Sequence, residues 1–278
     1  MNKQRILAGI VLYNPDINRL KANIEAISPQ VDTILLINNA SSNMPDVESL
    51  IQKFDDIEIL DNDSNMGVAH ALKQIMDYAA MHRYSWALTL DQDSVCYPGL
   101  VNAYSQYFNL PKVGILTCNI IDRNFKEDNG FMEGQRYRDV PQCITSASLI
   151  NMDAYQHTDG FDDKLFIDSV DFDICINMRI HGYRIVKINF DGLLHEVGHG
   201  KNVKLFMKDY IIYGHSPFRQ YYIARNHKYL VRKYPGQFSH AKEIIREIRD
   251  EVLILLYEKD KLPKLQQRWR GLMDTRRM

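Results

Sequence analysis

From residue 5 to residue 93 the chain repeats one pattern, a strand-length apolar run followed by a helical stretch, and the last run ends in Asp91-Gln92-Asp93. Residues 5–13, 31–37, 57–60 and 85–90 are the runs and read as strands. Between them, residues 16–27 set Leu20, Ile24 and Ile27 on one helical face, residues 47–54 read as a helix, and residues 68–82 turn Ala71, Leu72, Ile75 and Ala79 inward. Repeated β-α-β units leave few architectures open. The expectation is an α/β, Rossmann-like fold: a mainly parallel sheet, helices on both faces and a right-handed crossover at each connection.

That pattern puts Asp91 and Asp93 at the C-terminal end of the fourth strand, the edge where open α/β sheets bind ligands. Carboxylates with one residue between them suit a hard divalent ion that also holds phosphate oxygens. Such triplets also occur as solvated turns, so the motif alone leaves both readings open.

The second half changes character. Helix 100–108 and strand 113–118 precede a polar stretch, residues 122–138, whose length in a compact domain points to function or mobility. A strand over 142–151 follows, then a turn at 157–161 and a carboxylate-rich helix start containing Asp168, Asp171 and Asp173. Residues 183–188 return as a strand, and 217–234 and 237–270 read as helices, giving a body over 1–215 and a helical region over 216–278.

Composition sets the bounds. With 45% hydrophobic and 25% charged residues, the 278-residue chain is ordinary globular material, not a disordered one. The four cysteines form no C-x-x-C pair and the N-terminus lacks a signal-peptide layout, so a cytoplasmic setting is expected. No stretch approaches the roughly 20 apolar residues that span a bilayer. Residues 228–278 hold 13 Lys and Arg against 7 Asp and Glu, while the preceding body is acidic. Nucleic acid is a poor partner for that body. The basic helical end, with Leu255, Leu256, Leu262 and Trp269, could rest peripherally on the inner face of an anionic membrane, or pack as a hairpin on the body.

Taken in order, several segments resemble glycosyltransferases of the GT-A fold, family 2, and most closely the bacterial rhamnosyltransferase branch. They are Gly9-Ile10-Val11-Leu12-Tyr13-Asn14, Ile37-Asn38-Asn39-Ala40-Ser41, Asn65-Met66-Gly67, Asp91-Gln92-Asp93, the run from Gly160 to Asp171, and Arg219-Gln220-Tyr221-Tyr222-Ile223-Ala224-Arg225-Asn226. The resemblance implies nucleotide contacts from Tyr13, Asn14, Asn38, Asn65, Gly67 and Asp91. It implies Mg²⁺ or Mn²⁺ on Asp91 and Asp93 with His195 as a third ligand, and Asp171 as catalytic base. Asp168, Arg219 and Arg225 would serve acceptor or phosphate. The implied reaction is inverting transfer of L-rhamnose from dTDP-rhamnose to a glycan or lipid-linked acceptor in bacterial surface polysaccharide synthesis. A UDP-hexose donor, a nucleotidyltransferase or a non-catalytic sugar-nucleotide binder are the alternatives.

Two positions depart from the family pattern. Asn38 stands where Asp is common, and its amide carbonyl could still accept a hydrogen bond from the imide of a pyrimidine base. Val170 replaces the Glu of a Glu-Asp pair, as in the rhamnosyltransferase branch. Separately, His195-Glu196-Val197-Gly198-His199 fits the H-E-x-x-H zinc-protease spacing, which needs a helix. Gly192, Gly198 and Gly200 make this poor helix material, and the protease reading is set aside.

Overall fold

The computed structural model describes residues 4–122, 130–195, 200–205 and 207–278. The first half follows the expected alternation: β1 (Ile6–Leu12), α1 (Ile17–Ile27), β2 (Thr33–Asn38), α2 (Met44–Ile51), β3 (Ile57–Asp61), α3 (Val68–Met81) and β4 (Trp86–Asp91). Then come β5 (Val95–Cys96), α4 (Leu100–Ser105), β6 (Val113–Asp122), β7 (Tyr137–Asp139), β8 (Ser148–Asn151), α5 (Met152–Gln156), α6 (Val170–Ile180) and β9 (Arg184–His195). The sheet runs β3-β2-β1-β4-β8-β6-β9-β5, with β7 also on β9. Strands β3, β2, β1 and β4 are mutually parallel, as is the β6–β9 pair; β8 enters antiparallel to β4 and β6.

Register decides what the sheet can present. Asp91 lies opposite Val11, Leu12 opposite Asn38, and Asn38 opposite Asp61, so four parallel strands end flush along one edge. The strands are held there by burial on both faces: Leu7, Ala8, Ile10, Leu36, Ile37, Ala87 and Leu88 are inaccessible to solvent. Each large aliphatic chain among them stabilises the fold by about 1.5–3 kcal/mol. Asp16 caps α1 by accepting from the backbone N–H of Asn18 and Arg19 at 2.9 and 3.0 Å. Gly9 is required by close approach, because a Cβ there would sit 2.3 Å from the Ile75 side chain of α3.

By contacts, the chain forms two compact units. One comprises residues 1–163 and 170–196; the other takes residues 164–169 and 197–278. The sequence reading drew a single boundary at 215/216, whereas the hairpin of β10 (Lys201–Leu205) and β11 (Lys208–Ile212) groups with the C-terminal helices. The reason is a small apolar cluster in which Val203, Leu205 and Ile212 pack with Leu253.

In the second unit α7 spans Pro217–Lys233, α8 His240–Tyr257 and α9 Lys261–Asp274. The single helix expected over 237–270 is thus broken, at Asp260, whose φ of 52° ends one helix and starts another. Arg268 of α9 is 1% exposed and donates to Glu247 of α8 at 2.6 Å and to Gln220 of α7 at 2.8 Å, joining three helices through one guanidinium. Gly271 lets α9 touch the α7 backbone, since a Cβ would stand 2.3 Å from the Tyr221 carbonyl oxygen. Backbone cannot yield as a side-chain tip would. Gly271→Ala is therefore expected to cost about 2 kcal/mol, read in a denaturant melt as a lower midpoint; an unchanged midpoint would show that α9 can shift freely on α7.

Candidate active site

The site is built at the flush edge of the parallel strands. Asp91 and Asp93 sit at the end of β4 as expected, and Gln92 between them clamps the end of β1: its Oε1 accepts the Tyr13 N–H at 2.8 Å and its Nε2 donates to the Tyr13 carbonyl at 3.3 Å. The Tyr13 ring is left half exposed on this edge. Asn14, at φ 48°, accepts from the N–H and hydroxyl of Ser42, both at 2.8 Å, so it shapes the neighbouring turn.

Asp91 is held through its backbone. Its N–H donates to Ser146 Oγ at 3.2 Å, and its carbonyl accepts from Asn23 Nδ2 at 2.7 Å, from a wholly buried side chain on α1. Asp93 faces Arg19 at 3.8 Å with both groups well exposed, an ion pair of little energetic weight. Both acids are partly accessible.

Asn38 is engaged on both sides. Its carbonyl oxygen accepts the Ser41 N–H at 2.8 Å and its amide donates to Asp61 Oδ1 at 2.7 Å. The acceptor role that the sequence reading gave to the Asn38 carbonyl thus falls on an oxygen already in use. Beside it the structure puts an exposed carboxylate, Asp61, at the end of β3. The sequence signal for Asp61 was present, a carboxylate ending a strand, and it was overlooked because β3 was read one residue short.

Asn65 and Gly67 lie together in the turn before α3. Asn65 Oδ1 accepts the Gly67 N–H at 3.0 Å and Asn39 Nδ2 at 2.9 Å, and Gly67 adopts φ 88°, where a side chain would be strained.

Asp171 occupies the first turn of α6, where the helix dipole favours a negative charge. Its Oδ1 accepts the Thr145 N–H at 2.9 Å, while the Thr145 carbonyl accepts Thr89 Oγ1 at 2.6 Å. Adjacent residues of one loop therefore hold the two ends of the site: Thr145 the Asp171 carboxylate, Ser146 the Asp91 backbone. Sequence reasoning had made residues 142–151 a strand; only Ser148–Asn151 is one, and the preceding residues leave the ladder to make these bonds. Asp171 also lines a cavity of about 240 Å³ with Thr117, Cys143, Ile144, Phe172 and Lys187.

In the second unit, Asp168 and Arg219 are paired with each other. Arg219 grips Asp168 with bonds of 2.9–3.1 Å. Arg225 donates to the Lys164 carbonyl at 2.8 Å and stacks on the Tyr222 ring at 4.6 Å, and buried Asn226 donates to the carbonyls of Ile167 and Asp168. The Arg219-to-Asn226 motif is thus a clamp on residues 164–169. What it restrains is costly backbone, since Asp168 and Ser169 are consecutive residues at φ 65° just before α6 begins.

His195 closes β9, opposite Asp122 of β6, and its side chain lies outside the described residues, as do Glu196 to His199 of the H-E-x-x-H segment. Among the described residues no group of three or more His, Cys, Asp or Glu is gathered as a metal site.

Comparison with known proteins bears on the family and the fold. The profile described as Glycosyl transferase family 2 matches residues 8–167. A dTDP-rhamnosyl transferase, RfbF of Shigella flexneri, is 25% identical over 285 residues, covering 97% of this chain and 94% of that protein. The crystal structure of S. aureus TarS residues 1–349 with UDP is similar at a TM-score of 0.60 and 12% identity, over 98% of this chain and 80% of that one. GalNAc-T7 with UDP, GalNAc and Mn²⁺ reaches 0.66 at 12% identity, over 99% of this chain and 56% of that one. The last two establish the fold, an α/β sheet of the GT-A kind. A profile match over more than half the chain makes this protein a member of glycosyl transferase family 2, a glycosyltransferase related to rhamnosyltransferases.

Proposed function

We propose that the protein is an inverting, divalent-metal-dependent rhamnosyltransferase that moves L-rhamnose from dTDP-β-L-rhamnose to a glycan or lipid-linked acceptor, working at the cytoplasmic face of a bacterial surface-polysaccharide pathway. The observation that carries this reading is the Thr145–Ser146 link, which holds a carboxylate suited to a base and the backbone of Asp91 on adjacent residues. The similarity to RfbF supports the donor.

Asp91 and Asp93 fit Mg²⁺ or Mn²⁺ by the chemistry of their donors, hard oxygens that leave most of the coordination sphere to diphosphate and water. When bound, the ion would offset the charge of the leaving diphosphate. Tyr13 offers a ring for the base to stack on, and Asp61 a carboxylate to accept the thymine imide N–H, with Asn38 fixing that carboxylate's orientation. Asp171 takes the proton from the acceptor hydroxyl as that oxygen attacks the anomeric carbon and the bond to the diphosphate oxygen breaks. Displacement from the opposite face converts the β donor to an α-L-rhamnosyl product. The cavity beside Asp171, with the exposed Phe172 ring and Lys187, suits an acceptor sugar.

The test is calorimetry and turnover with dTDP-rhamnose, UDP-glucose and GDP-mannose, each with Mn²⁺ or chelator. Metal-dependent binding selective for dTDP-rhamnose is expected, weakened about tenfold in Asp61→Asn, the worth of one charge-assisted hydrogen bond. Selective binding of a UDP- or GDP-sugar would overturn the donor, and binding unaffected by Asp61→Asn would remove that carboxylate from base recognition.

A further inference from the structure

The second unit carries two apolar stripes that face solvent. On α8, Ile244, Ile245, Ile248, Leu255 and Leu256 are each 48–66% exposed, and at about 100° per residue they fall within a sector of about 120°. The opposite side of that helix holds buried Leu253 and Ile254 and the acids that meet Arg268 and His227. On α9, Leu262, Trp269 and Met273 are 62–67% exposed on one side, turned away from the buried Lys264, Arg268 and Gly271. Exposed Lys261, Arg270, Arg276 and Arg277 border this second stripe.

Scattered exposed aliphatics are ordinary, whereas stripes along two helices of one unit are not. Charge identifies what would cover them. Residues 164–169 and 197–278 hold 19 Lys and Arg against 9 Asp and Glu, a net of +10 in a chain whose total is −1. A second copy meeting this unit face to face would bring +10 against +10, which repels. An anionic bilayer complements both features, cationic borders for its headgroups and an aliphatic and indole surface for the headgroup–acyl boundary. No helix of the described residues is long and apolar enough to cross a membrane, so the contact is with the surface.

We propose that the outward faces of α8 and α9 dock the protein on an anionic membrane surface, with Trp269 and the α8 isoleucines entering the interface. This attachment is independent of the donor and base assignments above.

The experiment is flotation of the full chain with vesicles of phosphatidylcholine alone or mixed with phosphatidylglycerol, at low and high salt. Expected are binding to the anionic vesicles only, and a loss of at least tenfold at high salt. The chain has two tryptophans, and Trp86 is already buried against Phe108, so a blue shift on vesicle binding reports Trp269. Trp269→Ser with Met273→Ser, and separately Ile245→Ser with Ile248→Ser, should each weaken binding about tenfold while far-UV circular dichroism and donor binding stay unchanged. No flotation with anionic vesicles at low salt would overturn the proposal. So would serine variants that bind vesicles normally, or that instead dissolve a dimer seen by sedimentation.

Discussion

Alanine at Asp91 or at Asp93 is expected to lower sugar transfer by about a thousandfold or more, near 4 kcal/mol of transition-state stabilisation, while leaving the protein folded. The two halves of that result have separate physical sources. Asp91 is anchored by its main chain, to Ser146 and to Asn23, and alanine keeps those bonds. Asp93 makes an exposed ion pair with Arg19 at 3.8 Å, worth under about 1 kcal/mol. What alanine removes is the oxygen donors that the proposed divalent ion and diphosphate would meet. The measurement is product formation across a Mn²⁺ titration beside a thermal melt. Full turnover in both single variants, with intact melts, would sink the metal assignment.

Asp171→Asn separates chemistry from structure more finely. Asparagine retains a carbonyl oxygen to accept the Thr145 N–H, so the loop that holds both Thr145 and Ser146 keeps its shape. It cannot take a proton from an attacking hydroxyl. Donor affinity should therefore be unchanged within about twofold while kcat falls by about 10³-fold, in the range for losing a positioned base. Substantial transfer by the variant would remove Asp171 as base and turn attention to another group lining the same cavity. A fall in donor affinity of similar size would instead mean that Asp171 acts by positioning the loop.

The extent to which the sequence was legible differs along the chain. Strands β1 to β4 and the helices between them were readable because apolar residues recur at two distinct periods and each run is bounded by polar turns. Asp91 and Asp93 were found for the same reason: a carboxylate ending a continuous apolar strand has few places to go. The segment before β8 was misread because Gln142-Cys143-Ile144-Thr145-Ser146 has strand composition, and its departure from the ladder is set by partners far away, Thr89 and Asp171. The family resemblance assigned Asp168, Arg219 and Arg225 to acceptor or phosphate. In the structure their polar groups bond within and onto residues 164–169, and no local pattern could reveal that pairing, since Asp168 and Arg219 lie 51 positions apart.

The sequence alone determined the class of sheet, the edge that carries the acids and the basic character of the C-terminal helices, because periodicity, strand ends and composition are local properties. Tertiary structure alone decided that Asn38 is tied to Ser41 and Asp61, that one loop holds both Asp91 and Asp171, and that the α8 and α9 stripes face outward. Those outcomes depend on register between strands and on which helix face finds a partner, and both are settled by contacts between residues distant in the chain.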